Sequence, residues 1–69
     1  MKNFELQGHE YIELNKLLKL LHLVGSGGEA NQRISDGQVR VNGQTELQKR
    51  KKLRPGDKVE IAGQTVQIS

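Results

Sequence analysis

The chain has 69 residues, a net charge of +3, eight glycines and no cysteine. A length this small allows one domain that buries only about 60% of the surface of its unfolded chain. The lack of cysteine excludes disulfide staples, thiolate nucleophiles and zinc–thiolate sites. Leu, Ile, Val and Phe supply 19 of the 69 residues, above the roughly 20% below which disorder is the default. Lys16, Lys19 and His22 interrupt the leucine-rich stretch, so no segment can span a bilayer. The first six residues alternate charged and apolar side chains and do not read as a secretory leader. The expectation is one domain over residues 1–69, soluble and cytoplasmic.

Phe4 and Leu6 alternate with Asn3 and Glu5, a weak short-strand signal. From about residue 10 to residue 22 the period changes. Leu14, Leu17, Leu18 and Leu21 fall at i, i+3, i+4 and i+7, one face of a helix, and Leu20 and Leu23 widen its apolar surface, so cover is expected on more than one side. Gly25 is the expected left-handed cap at its end. Ser26-Gly27-Gly28-Glu29 then fits a capping box, with Ser26 accepting from the Glu29 amide and Glu29 reaching back to the Ser26 amide. Ala30 and Ile34 mark the buried side of this second helix, Glu29 and Arg33 the exposed side. Asp36-Gly37 ends it.

The remainder predicts strands. Val39 and Val41 alternate with polar neighbours up to Asn42-Gly43, a strong hairpin signal, and the return strand should run through Thr45 and Leu47. A basic loop follows, anchored by Leu53. Pro55-Gly56-Asp57 reads as a turn, and a last hairpin places Val59 and Ile61 before Ala62-Gly63, with Val66 and Ile68 after it. Phe4 is expected in the core. Tyr11 fits either core or surface. His9 and His22 read as ordinary surface or helix-end residues.

Charge is unevenly spread. Residues 1–36 carry four basic and five acidic side chains, whereas residues 37–69 carry seven basic and three acidic ones. Five of the eleven basic residues fall in Lys49-Arg50-Lys51-Lys52-Leu53-Arg54. A fixed cluster of this kind binds phosphates and releases their counterions. No catalytic constellation, metal-ligand set or cofactor motif stands beside it. Gly25-Ser26-Gly27-Gly28 lacks the lysine and hydroxyl of a phosphate loop; it is a helix cap whose free amides could accept one backbone phosphate. With Phe4 and Tyr11 as the only aromatics, a multi-ring stacking platform for single strands is excluded. Recognition of a structured backbone by shape and charge remains. A helix-turn-helix DNA binder would need more base-reading side chains than Asn31, Gln32 and Arg33. A protein-interaction module docking an acidic partner is the other alternative.

Leu14-x-x-Leu17-Leu18, Ser26-Gly27-Gly28-Glu29-Ala30, Ile34-x-x-Gly37-x-Val39-x-Val41-Asn42-Gly43 and Leu53-x-Pro55-Gly56-Asp57-x-Val59 together resemble the RNA-binding domain of ribosomal protein S-four, the αL motif, over residues 12–61. In length and spacing the chain is similar to small stand-alone bacterial members of the YbcJ type. The resemblance implies an α+β fold, two helices packed in an L on a small antiparallel sheet. It implies a monomeric, non-catalytic binder of structured RNA, ribosomal or transfer RNA, without cofactor, metal or small-molecule substrate. Arg33, Lys49, Arg50, Lys51, Lys52 and Arg54 are then the expected phosphate contacts, with Lys16, Arg40 and Lys58 peripheral and the amides of Gly27 and Gly28 holding one more phosphate. Many family members have Arg where this chain has Gly27, which removes one contact at that corner.

Overall fold

In the computed structural model, which describes residues 2–69, the elements run β1 (Lys2–Phe4), β2 (Ile12–Glu13), α1 (Leu14–Leu20), α2 (Gly27–Ser35), β3 (Val39–Val41), β4 (Gln44–Thr45), β5 (Lys52–Leu53), β6 (Lys58–Ile61) and β7 (Gln64–Ile68). Five strands form one sheet in the order β1-β7-β6-β3-β4, and β2 pairs separately with β5. No helix is long and apolar enough to cross a membrane among the described residues.

Both sheet hairpins turn where the sequence predicts. Asn42 and Gly43 have φ of 53° and 83°, Ala62 and Gly63 of 52° and 77°. Positive φ at both central residues of a two-residue loop defines a type I′ turn, whose twist matches that of the strands it joins. The turn residues thus fix the register, Val41 opposite Gln44 and Ile61 opposite Gln64. They thereby send Val39, Val41, Val59, Ile61, Val66 and Ile68 to one face. β4 ends at Thr45 rather than running on through Leu47, because the Glu46 carboxylate accepts from the Gln48 amide (3.1 Å) and turns the chain. Leu47 is left 61% exposed.

The expected antiparallel sheet is mixed. β1 runs parallel to β7, with Lys2 opposite Val66 and Phe4 opposite Ile68. Alternation shows which residues share a face and says nothing of strand direction, and nearly the whole chain lies between these two strands, far more than the dozen residues a parallel crossover needs. Phe4 packs, partly buried, against the core.

α1 starts later than its apolar pattern suggests. Residues 12 and 13 pair antiparallel with β5, Ile12 opposite Leu53 and Glu13 opposite Lys52. Leu14, Leu17 and Leu18 are fully buried, but Leu20 is 52% exposed, so the helix is not covered all round. Its end also differs from expectation. His22, not Gly25, takes the left-handed conformation, at φ 57°. The His22 amide donates to the Lys19 carbonyl and the Leu23 amide to the Leu18 carbonyl, both at 3.1 Å, the two bonds of a Schellman motif. α2 ends in the same way, with Gly37 at φ 74°, its amide on Ile34 and the Gln38 amide on Arg33 (both 3.1 Å).

At the start of α2, Ser26 Oγ accepts from the Glu29 amide at 3.1 Å. The Glu29 carboxylate reaches the Gly25 amide at 3.3 Å, one residue before the expected Ser26. Ala30 and Ile34 face the same core as the leucines of α1 and the valines of the sheet. Asn15 Nδ2 donates to Asn31 Oδ1 at 3.2 Å and ties the two helices together.

Candidate nucleic-acid interface

The basic window is held as a strip, not as a free loop. Leu53 is fully buried. Because β5 pairs with β2 through Ile12 and Leu53, the neighbouring Tyr11 and Glu13 on one strand, and Lys52 and Arg54 on the other, share the outward face. The Lys52 ammonium lies 5.0 Å from the centroid of the Tyr11 ring and the Arg54 guanidinium 5.7 Å from it. Both are within cation–π range.

Upstream, the strip is bonded to α1. The Leu14 amide donates to the Lys51 carbonyl (2.9 Å) and the Asn15 amide to the Lys49 carbonyl (3.0 Å). These are first-turn amides that an α-helix cannot satisfy internally. Glu13, the residue before the helix, provides no side-chain cap, so the strip's own backbone takes that role. The Lys51 amide closes a turn on Gln48 (3.2 Å). Downstream, Asp57 Oδ2 accepts from the Arg54 amide at 2.8 Å and its Oδ1 from Asn42 Nδ2 at 3.0 Å. The Pro55-Gly56 turn is thereby locked to the β3–β4 hairpin, with Gly56 at φ 98°. Asp57 is a turn former, as its place in the sequence suggests.

The expected site residues therefore divide. Lys49, Arg50, Lys52 and Arg54 are exposed along one strip, with Lys51 half-buried among them. Arg50 is in ionic contact with Glu13 at 3.8 Å. Lys58 follows the Pro55-Gly56 turn; its amide donates to Asn42 Oδ1 (2.9 Å). Arg40 stands elsewhere, on the sheet face opposite the core and across from Glu60 and Thr45. Arg33 is held by Glu29 (3.7 Å) and Gln38 (3.3 Å). At 100° per residue it lies on the far flank of α2 from Asn31, and Asn31 is on the side that meets α1. Gly27 and Gly28 begin α2, and a Cβ at either meets only open space or the Ser26 hydroxyl at 3.8 Å. The Glu29 carboxylate beside them lowers the positive potential of that corner. Lys16 points outward from α1 beside Leu20, into a groove formed with residues 4–13.

Sequence reasoning missed Tyr11, Glu13 and Asn15 as parts of this surface. Their only signal is the match of Tyr11-Ile12-Glu13 with Lys52-Leu53-Arg54, each an apolar residue between two polar or amphipathic ones, which two-residue strands make too short to recognise.

Two helices packed on a mixed sheet, with a cation-bearing strip bonded to the start of the first, form the α+β arrangement of an αL motif. The chain belongs to the S4 domain family, whose model matches residues 4–69. YbcJ from Escherichia coli, named as an RNA-binding protein, is 43% identical over 68 residues, covering 99% of this chain and 97% of that protein. The solution structure of YbcJ, described as revealing an αL motif involved in RNA binding, superposes with a TM-score of 0.74 over 99% of this chain and 86% of that one. RlbA from Bacillus subtilis, named for ribosome maturation, is 41% identical over 54 residues, 78% of this chain and 76% of that one. Ribosomal protein S4e from Thermoplasma acidophilum is similar over 83% of this chain and 30% of its own, at 26% identity and a TM-score of 0.68.

Proposed function

We propose that this protein is a single-domain, monomeric, non-catalytic binder of structured RNA, ribosomal or transfer RNA, acting in the cytoplasm and in association with ribosomes. Lys49, Arg50, Lys51, Lys52 and Arg54 are the phosphate contacts; Lys58 and Lys16 flank them, Arg33 and Arg40 contribute only long-range field, and the Gly27 and Gly28 amides hold one further phosphate. The observation that carries the reading is the double anchoring of the basic strip, by the β2–β5 pairing and by the two α1 amides on Lys49 and Lys51. A strip whose backbone is held in place loses little backbone freedom on binding. The RNA-binding name of YbcJ and the ribosome-maturation name of RlbA point the same way. A helix-turn-helix reading is weaker, since Asn31 is spent on Asn15 and Arg33 is the one cation of α2.

The test is a salt titration of binding to a stable RNA hairpin by fluorescence anisotropy. Five neutralised phosphates give a log–log slope of about −4 to −5 at roughly −0.9 per contact. A slope near zero, or equal affinity for duplex DNA of the same length, contradicts the proposal. Capture of one acidic protein that survives nuclease treatment would favour the protein-docking alternative.

A further inference from the structure

We propose that the groove between residues 4–13 and the outer flank of α1 is a docking site for a short protein segment carrying an apolar anchor flanked by lysine or arginine. The groove is open to solvent and has a volume of about 520 Å³. Phe4 and Ile12 line it, and Leu20, 52% exposed, and Tyr11, 38% exposed, stand at its edge. Leu20 is the one α1 leucine that the fold leaves more than half uncovered. It stands with the buried Leu6 and Ile12 and the half-buried Phe4 among the apolar residues of a groove otherwise lined by polar ones.

Charge selects the occupant. Glu5, Glu10 and Glu13 line the groove beside Lys16 and His9, and of the three carboxylates Glu13 is already in ionic contact with Arg50 (3.8 Å). Away from the strip, an RNA strand following a base into the groove would bring phosphates within a Debye length, about 8 Å, of Glu5 and Glu10. Cationic side chains gain where phosphates lose. The groove adjoins the basic strip through Tyr11 and Glu13, so its occupant would sit beside the strip, not on it. The proposal stands whether or not the strip binds RNA.

The test uses the full chain, ¹⁵N-labelled, titrated with the acetylated and amidated peptide Arg-Leu-Lys-Arg-Leu-Lys. Saturable shifts are expected on the amides of residues 5–13 and of Leu20. Leu20→Gln, or Glu5→Gln with Glu10→Gln, should each weaken binding about five-fold or more, since each removes the partner of an anchor or of a charge pair. The glutamine pair lies outside the helices and keeps the test open if Leu20→Gln fails to fold. Equal binding of peptides with serine for leucine or glutamate for the basic residues overturns the proposal. So does the absence of saturable shifts, or perturbation of the amides of residues 5–10 and of Leu20, away from the strip, by an RNA hairpin with a bulged guanosine, which would make the groove a nucleotide site.

Discussion

The ring of Tyr11 lies 5.0 Å from the ammonium of Lys52, brought there by the pairing of β2 with β5. The ring holds Lys52 and Arg54 together despite their mutual repulsion. Each cation–π contact at an exposed site is worth about 0.5–1 kcal/mol. Tyr11→Leu should therefore weaken RNA binding by about two- to five-fold for each contact that binding relies on, while Tyr11→Phe, which keeps the ring, should leave it nearly unchanged. Anisotropy titrations of the two variants read this directly. Equal losses in both would assign the effect to the hydroxyl.

Glu13 opposes binding in the same place. Its carboxylate is 3.8 Å from Arg50, and the Arg50 side chain is 81% exposed. Surface pairs of this kind contribute only about 0–1 kcal/mol to stability, so little is lost when it is broken. Glu13→Gln frees Arg50 and removes a negative charge from the edge of the strip. RNA affinity at low salt should rise several-fold, with a melting temperature within a few degrees of the parent. An unchanged affinity would place Arg50 outside the contact.

The cations should not be equivalent. Replacing Lys49, Arg50 and Lys52 together by Ala removes three of the five proposed contacts, and the salt slope should fall by about 2.7 at roughly 0.9 per phosphate. Arg40→Ala, on the other face of the sheet, should leave the slope unaltered. A comparable change for Arg40 would show that attraction depends on total charge and not on the strip.

Local chemistry made most of this fold legible. Asn42-Gly43 and Ala62-Gly63 fix their hairpins because a type I′ turn needs left-handed residues in sequence, and Ser26 and Gly37 bracket α2 through caps written in the chain itself. What stayed hidden depends on distant partners. The start of α1 is set by a strand from residues 52–53, and the parallel direction of β1 by residues 66–68. The candidate site divides along the same line. The charge of residues 49–54 is visible in the sequence, but its attachment to Tyr11 and to the α1 amides is not, because two-residue strands carry no usable period.

His22 is, with Gln7 and Ala62, one of the residues where local preference and fold disagree. Its φ of 57° costs a non-glycine residue about 1–2 kcal/mol. The side chain is exposed. His22→Gly should relieve the strain and, after the larger backbone entropy of glycine in the unfolded chain, stabilise the protein by about 0.5–1 kcal/mol. The urea midpoint should rise with an unchanged slope. His22→Val, β-branched at the same dihedral, should lower it.

Leu53 links stability to the proposed function. It is fully buried between exposed Lys52 and Arg54 and supplies the apolar half of the β2–β5 pairing. Leu53→Ala should cost about 2–5 kcal/mol, through lost transfer energy and the cavity left behind. Domains of this size have only a few kcal/mol in hand, so the variant should be largely unfolded at 37 °C. Leu53→Met, close in volume, should cost less than about 1.5 kcal/mol and remain folded. That variant is the informative one. If the strip binds because Leu53 pins it, Leu53→Met at 10 °C should keep the salt slope, since all five cations remain. It should lose affinity, because the strip is held less firmly. Unchanged affinity in a measurably destabilised Leu53→Met protein would show that the cations bind as a mobile cluster and that their anchoring is irrelevant to recognition.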